Sequence, residues 1–152
     1  MNAVALYSFP ARMESLADML ALVKAVSFDA ESAAALRAET ALEELLSNSI
    51  VHGAAGPVSQ AGIWFGVQEN GEGLVLRYED GFAAFDPLPK IDEALQRTSN
   101  PMDQQPLGGL GLLMVYRLAD EFRYARENGR NCMHLTFVRR RLSSVARPVS
   151  TR

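Results

Sequence analysis

Spaced by hydrophobicity alone, the chain shows two periods. Apolar residues alternate with others in "AVALYSF" (Ala3 to Phe9), in "AGIWFGVQ" through Ile63, Phe65 and Val67, in "LVLRYE", and twice within "EFRYARENGRNCMHLTFV". A period of two marks a strand with one buried face. "ENGEG" supplies turn residues between the second and third runs, and Asn128-Gly129 joins the last two, so both pairs read as hairpins. Met13, Leu16, Leu20 and Val23 recur instead at helical spacing, which predicts an amphipathic helix over "ARMESLADMLALVKAV". A second helix from about Asp29 to Val51 is Ala-rich, contains no Gly or Pro and stops at Gly53. "LGLLMVYRLAD" resumes a helix before the final hairpin. Gly81 to Gly109, rich in Pro, Gly, Asn, Gln and Asp, carries only a short helical pattern at Ile91 to Leu95. A connection of that length inside a compact domain usually has a task, such as covering a ligand. Strands outnumber helices and most neighbours are hairpins. The pattern predicts an α+β fold, a two-layer sandwich with helices on one face of a mainly antiparallel sheet.

Composition narrows this picture. A chain of 152 residues with 48% hydrophobic content fits one domain with one core, and hence one site. The net charge of -3 gives no reason to expect nucleic-acid binding, although every charged residue from Arg139 onward is basic. We therefore expect a domain over residues 1–138 and a basic, disordered tail over 139–152. The tail could also hold an acidic partner. One cysteine, Cys132, makes no internal bridge, the N-terminus lacks the pattern of a secretory signal, and no run is long enough to span a bilayer. A cytoplasmic protein without membrane contact is expected.

Candidate chemistry concentrates in "EELLSNSIVHG". Helix positions four apart differ by roughly forty degrees about the axis, so Glu44, Asn48 and His52 share one ridge while Glu43 points away. Leu42, Leu45 and Leu46 mark the adjoining apolar surface, which puts the ridge at the edge of the core, facing a cavity. Buried Asn and Glu need partners. Carboxylate and amide oxygens suit Mg²⁺, which takes few protein ligands and completes its shell with water and phosphate. A neighbouring carboxylate can orient or deprotonate an attacking hydroxyl. The plain alternative is a solvent-facing polar helix face. Asp80 in "YEDGFAAFDP" falls at a strand end beside Gly81, where it can accept a hydrogen bond from an exocyclic amine such as that of adenine. Gly108, Gly109 and Gly111 run directly into a helix, where free N–H groups and the helix dipole favour an anion. Their spacing is neither the dinucleotide fingerprint nor the Walker pattern.

Taken in order, these segments make the chain up to about Val138 resemble the stand-alone GHKL ATPase-like domains of the bacterial anti-sigma regulatory factor and serine-protein kinase group. "EELLSNSIVHG" resembles the N box, "EDGFAAFDP" the first glycine box, and "GGLGLLMVYRLADEFRYARENGRNCMHLTF" the second box with its following strands. The resemblance implies the GHKL (Bergerat) fold, with a mixed, mainly antiparallel sheet. It implies ATP and Mg²⁺ as cofactors, Glu44 as the acid assisting phosphoryl transfer, and Asn48 as the Mg²⁺ ligand. Asp80 with Gly81 would hold the adenine amine, Gly108, Gly109, Leu110 and Gly111 would line the phosphates, and Leu88 to Leu107 would form the lid. Arg97 would contact the terminal phosphate; the only other basic lid residue is Lys90. Family members phosphorylate a serine on an anti-anti-sigma (STAS-type) partner and hold a sigma factor when that partner is absent, so a homodimeric serine/threonine-protein kinase acting in transcription regulation is implied.

Two positions depart from the pattern. The first box usually reads Asp-x-Gly, and Phe82 stands where that glycine is expected. Asp18 stands where sporulation-type anti-sigma factors carry a first-helix arginine that contacts sigma. Phe82 and a lid with two basic residues leave an alternative to a kinase, a non-catalytic protein-binding module with a degenerate nucleotide site, while Asp18 bears on sigma binding. Elsewhere, His52 serves either the helix C-terminus or the site edge, His134 is expected to be exposed, Cys132 to be an inert packing residue, and Trp64 to cover the helices or form part of an oligomer surface.

Overall fold

The computed structural model of the chain describes residues 3–53, 62–98 and 110–139. Element order is β1 (Tyr7–Pro10), a 3₁₀ turn (Met13–Ser15), α1 (Leu16–Val26), α2 (Ala33–Gly53), β2 (Gly62–Glu69), β3 (Gly73–Asp80), α3 (Leu88–Thr98), α4 (Leu110–Leu118), β4 (Glu121–Glu127) and β5 (Arg130–Val138). The strands form one sheet in the order β1-β2-β3-β5-β4. This is the expected α+β sandwich, and its described strand pairs are all antiparallel, so the sheet is not mixed.

Alternation sets the two faces. Ile63 and Phe65, Leu74, Leu76 and Tyr78, and Met133, Leu135 and Phe137 are all buried in one core with α1 and α2. Cross-strand register stacks Phe65 on Tyr78 and Tyr78 on Met133, so large side chains meet in rows. The helix over the middle of the sheet, α2, buries Ala34, Ala35, Ala38 and Ala41 before Leu42, Leu45 and Leu46. Its buried face is thus built of alanines in the first half and of leucines in the second. Ser32 Oγ accepts the Ala35 N–H at 3.1 Å and so caps its start. Arg37 ties the layers together by donating to the carbonyls of Leu118 and Val138, each at 2.8 Å, and to Asp120 Oδ2 at 3.0 Å.

Both predicted turns form. Asn70 Oδ1 accepts the N–H groups of Glu72 and Gly73, and Gly71 adopts φ +83°. Asn128 and Gly129 take φ 51° and 74°, the left-handed pair that a two-residue hairpin requires. Three expectations are corrected. The first strand runs over Tyr7–Pro10 and not Ala3 to Phe9, and Val4 and Ala5 before it lie against Gly66, where a Cβ would strike the Ala5 carbonyl oxygen. Met13 is exposed in the 3₁₀ turn, and the inward stripe of α1 runs through Met19 and Val23. The lid segment opens with a full helix, α3, capped by Asp86 Oδ1 on the Leu88 N–H. Its Ile91 and Ala94, with Leu95 beside them, pack on Leu112 and Leu113 of α4 in a second small core.

The opposite face of the sheet is charged. Glu79 is buried there between Arg77 Nε at 2.6 Å and Arg130 Nη1 at 3.0 Å, and the Arg130 guanidinium stacks 3.4 Å from the Trp64 ring centre. Trp64 therefore lies away from the helices. His134, in register between Arg77 and Arg123, is half-buried by its neighbours and not fully exposed as expected. Cys132 is buried, as expected of a packing residue, and burial pushes its thiol pKa up.

Burial alone would raise the Glu79 pKa, but hydrogen bonds from Arg130 and Arg77 outweigh it and hold the carboxyl below its ordinary 4.5. A carboxyl depressed in the folded state contributes stability above its unfolded pKa and loses it as pH falls through the folded one. His134 acts earlier: burial and the Arg77 charge lower its pKa, so protonation costs stability from about pH 6.5 downward. Glu79→Gln should flatten the part of the acid limb below pH 4.5 and lower stability at neutral pH by about 3 kcal/mol, since two guanidiniums lose their anion. Urea unfolding as a function of pH measures both effects, and an unchanged acid limb would refute the assignment.

Candidate nucleotide site

Where β3 ends and β5 begins, the last two turns of α2 border a cleft of about 800 Å³. Asn48, Ser49, His52 and Gly53 form its α2 wall. The loop from Gly81 to Phe85 forms another, and the β4–β5 hairpin from Arg126 to Asn131 closes the far end. That volume lies within the range of small-molecule sites.

Asp80, only 5% exposed, lies on the floor. Its Oδ1 accepts from Asn131 Nδ2 at 2.8 Å and from the Phe82 N–H at 3.1 Å, and its Oδ2 accepts from Ser49 Oγ at 2.9 Å. Tyr78 donates in turn to Ser49 Oγ at 2.8 Å, and burial pushes the Tyr78 pKa up, so this phenol stays a neutral donor. A carboxylate offers about four acceptor positions. Three are taken, which leaves one on Oδ2, the oxygen nearest α2.

The loop is held by Asn131, which is 1% exposed. Its Nδ2 donates to the Ala83 carbonyl at 2.9 Å as well as to Asp80. Its Oδ1 accepts from the Phe85 N–H and the Tyr124 hydroxyl, each at 2.9 Å, and from Arg126 Nη1 at 3.1 Å. Arg126 Nη1 also lies 2.9 Å from the Phe82 carbonyl oxygen. One side chain thus fastens the loop to the sheet and aims the Asp80 carboxylate.

With this geometry in view, a comparison with family models is decisive: residues 9–137 match the model described as histidine kinase-like ATPase domain. The chain belongs to that family. It is a GHKL-type ATPase domain, in keeping with the anti-sigma regulatory group. A search of curated proteins finds no match.

Within this ATPase domain the predicted residues separate into groups. Asn48, Asp80 and Gly81 line the same cleft. His52, on the exposed end of the ridge, also lines it and stacks on Phe85 with ring centres 5.5 Å apart, while Lys90 Nζ lies 5.1 Å from the Phe85 ring centre. Glu44 is half-buried one turn before Asn48 and faces α4, where a Cβ on Gly111 would collide with Glu44 Oε2. Gly111 leaves room for that approach, and the carboxylate stands at the first turn of α4, which Leu110 opens. Arg97 is not among the residues lining the cleft; it faces Glu93 at 3.6 Å along α3. Gly108 and Gly109, with the lid beyond Thr98, lie outside the described residues.

The donor set fits MgATP. Asp80 keeps one acceptor position of the kind an exocyclic amine needs, and Asn48, which lines the cleft, carries an amide oxygen of the kind that would serve a cation completing its shell with phosphate and water. Among the described residues no cluster of three or more His, Cys, Asp or Glu could hold a metal by itself. No described helix is long and apolar enough to cross a membrane.

Ser49, Tyr78, Arg126 and Asn131 were not singled out from the sequence. Two were legible in principle. Ser49 is polar at a core-facing position of α2, and Asn131 is polar on the strand face that also carries Met133 and Leu135. Asn131→Ala should cost roughly 3 kcal/mol or more, because several buried groups lose a partner at about 1–3 kcal/mol each. Denaturant unfolding measures it, and a loss under about 1 kcal/mol would contradict this view of the hub.

Proposed function

We propose that the chain binds MgATP in this cleft and transfers the terminal phosphoryl group to a serine of an anti-anti-sigma (STAS-type) partner. It would act as a homodimeric anti-sigma or partner-switching regulator that holds a sigma factor when the partner is absent. The reading rests on one observation above all: a buried Asp80 with a single acceptor position left, opening on a nucleotide-sized cleft in a histidine kinase-like ATPase domain.

On this reading Asp80 accepts the adenine amine and Asn48 holds the cation. Mg²⁺, when bound with ATP, neutralises phosphate charge. The N–H groups at the start of α4 favour the phosphates, with Gly108, Gly109, Leu110 and Gly111 lining them. Glu44, at that same helix start, orients the incoming serine hydroxyl and takes its proton as the phosphorus–oxygen bond to the β-phosphate breaks and the bond to the serine oxygen forms. Phosphoryl transfer asks chiefly for positioning and charge neutralisation, so few groups suffice. A second reading, a binding module whose nucleotide only shapes its partner surface, draws on Phe82 in the first box and on Arg97 lying away from the cleft lining.

Calorimetric titration of ATP should show Mg²⁺-dependent binding that Asn48→Ala weakens, whereas no binding at millimolar ATP would end the nucleotide reading. Asp80→Asn should weaken ATP binding by about tenfold or more, as expected for loss of a charged acceptor; equal affinity would remove the adenine role. Glu44→Ala should abolish phosphate transfer to the partner with ATP still bound. Stable complex formation with the partner and ATP but without transfer, in the wild-type chain, would favour the binding module.

A further inference from the structure

The residue that departs from the family's first box has a definite seat. Three consecutive Phe82 ring atoms, Cδ1, Cε1 and Cζ, lie at nearly equal distances from the place a Cβ on Gly53 would take, all under 3.0 Å. Near equality over three neighbouring atoms means that the ring presents its face to Gly53, not its edge. It lies flat on the end of α2, which only a residue without a side chain permits. Phe82 is half-buried, packs against the edge of the main core and also lines the cleft. Its backbone is tied on both sides, by the N–H to Asp80 Oδ1 at 3.1 Å and by the carbonyl to Arg126 Nη1 at 2.9 Å. With the ring in place the cleft still measures about 800 Å³, so the ring borders the space and does not fill it.

We propose that Phe82, seated on Gly53, is the base-stacking residue of this cleft and makes it select a purine. The inference rests on the nucleotide reading above and adds to it. Asp80 recognises an edge, because it can accept from any exocyclic amine, and cytosine offers one as adenine does. Phe82 supplies a face, and a two-ring base covers more of that face than a one-ring base. Edge and face together specify an amine-bearing purine, as adenine is, where the carboxylate alone would not.

The test is calorimetric titration of MgATP, MgCTP and magnesium tripolyphosphate into the wild-type chain, Phe82→Ala and Phe82→Tyr. The wild type should prefer ATP to CTP. Phe82→Ala should weaken ATP about ten- to a hundredfold, the range for loss of one base–aromatic stack. It should also narrow the ATP-to-CTP ratio and leave tripolyphosphate, which has no base, unchanged; Phe82→Tyr should keep wild-type behaviour. Should Phe82→Ala not fold, Phe82→Leu asks the same question with an apolar residue that has no aromatic face. ATP bound by Phe82→Ala, or by Phe82→Leu in its place, as tightly as by the wild type would overturn the stacking role alone. A wild type that binds none of the three ligands would overturn the nucleotide reading and this proposal with it.

Discussion

A buried carboxylate needs donors, and the placing of donors around Asp80 organises one whole end of the molecule. The Asp80–Asn131 hydrogen bond is the centre of that arrangement. It joins the last residue of β3 to the second residue of β5, positions already paired by sheet register. From there Asn131 reaches Ala83 and Phe85, so the loop after β3 takes its path from the same side chain that aims the carboxylate. Ser49 and Tyr78 bring α2 and the core into the network. A polar group inside a low-dielectric core specifies a geometry because each unmet partner is expensive. The cleft is preorganised for the same reason.

The sheet separates two kinds of stabilisation. Its inner face is apolar and relies on packed rows of aromatic and aliphatic side chains beneath α1 and α2. Its outer face relies on Glu79 between two arginines, one of them stacked on Trp64. Asp80 and Glu79 are neighbours in sequence, yet strand alternation sends them to opposite faces. One meets the nucleotide cleft and the other an ion-pair network. The adjacent acids of "YEDG" thus have different duties, and the alternation of the strand assigns them.

Phe82 and Gly53 show how a departure from a family pattern can be accommodated at a distance in sequence. A bulky ring enters the first box where a glycine is usual, and a glycine at the end of α2 makes room for it. Glu44 and Gly111 form a second such pair, a carboxylate approaching a helix start that has no side chain to obstruct it. In both cases the glycine matters for what lies against it, since its own backbone could be adopted by other residues. Both pairs attach α2 to the segments that carry the boxes.

Local physics was readable from the chain alone. Period-two and helical spacing, the Asn128-Gly129 turn and the Ala-rich helix all report on neighbours within a few residues, and each of those elements forms, with ends that shift by several residues. So did the pairing of Asn48 and Asp80 in one site, through the resemblance of their boxes. What spacing could not show was long-range. The approach of Ala5 to Gly66, the packing of α3 on α4 and the position of Arg97 away from the cleft all involve segments far apart in the chain. The Asn131 hub depends on a strand pairing that brings residues 80 and 131 side by side. Local sequence determines which conformations a segment can adopt at low cost; only the assembled core decides which polar groups lose water and must find one another.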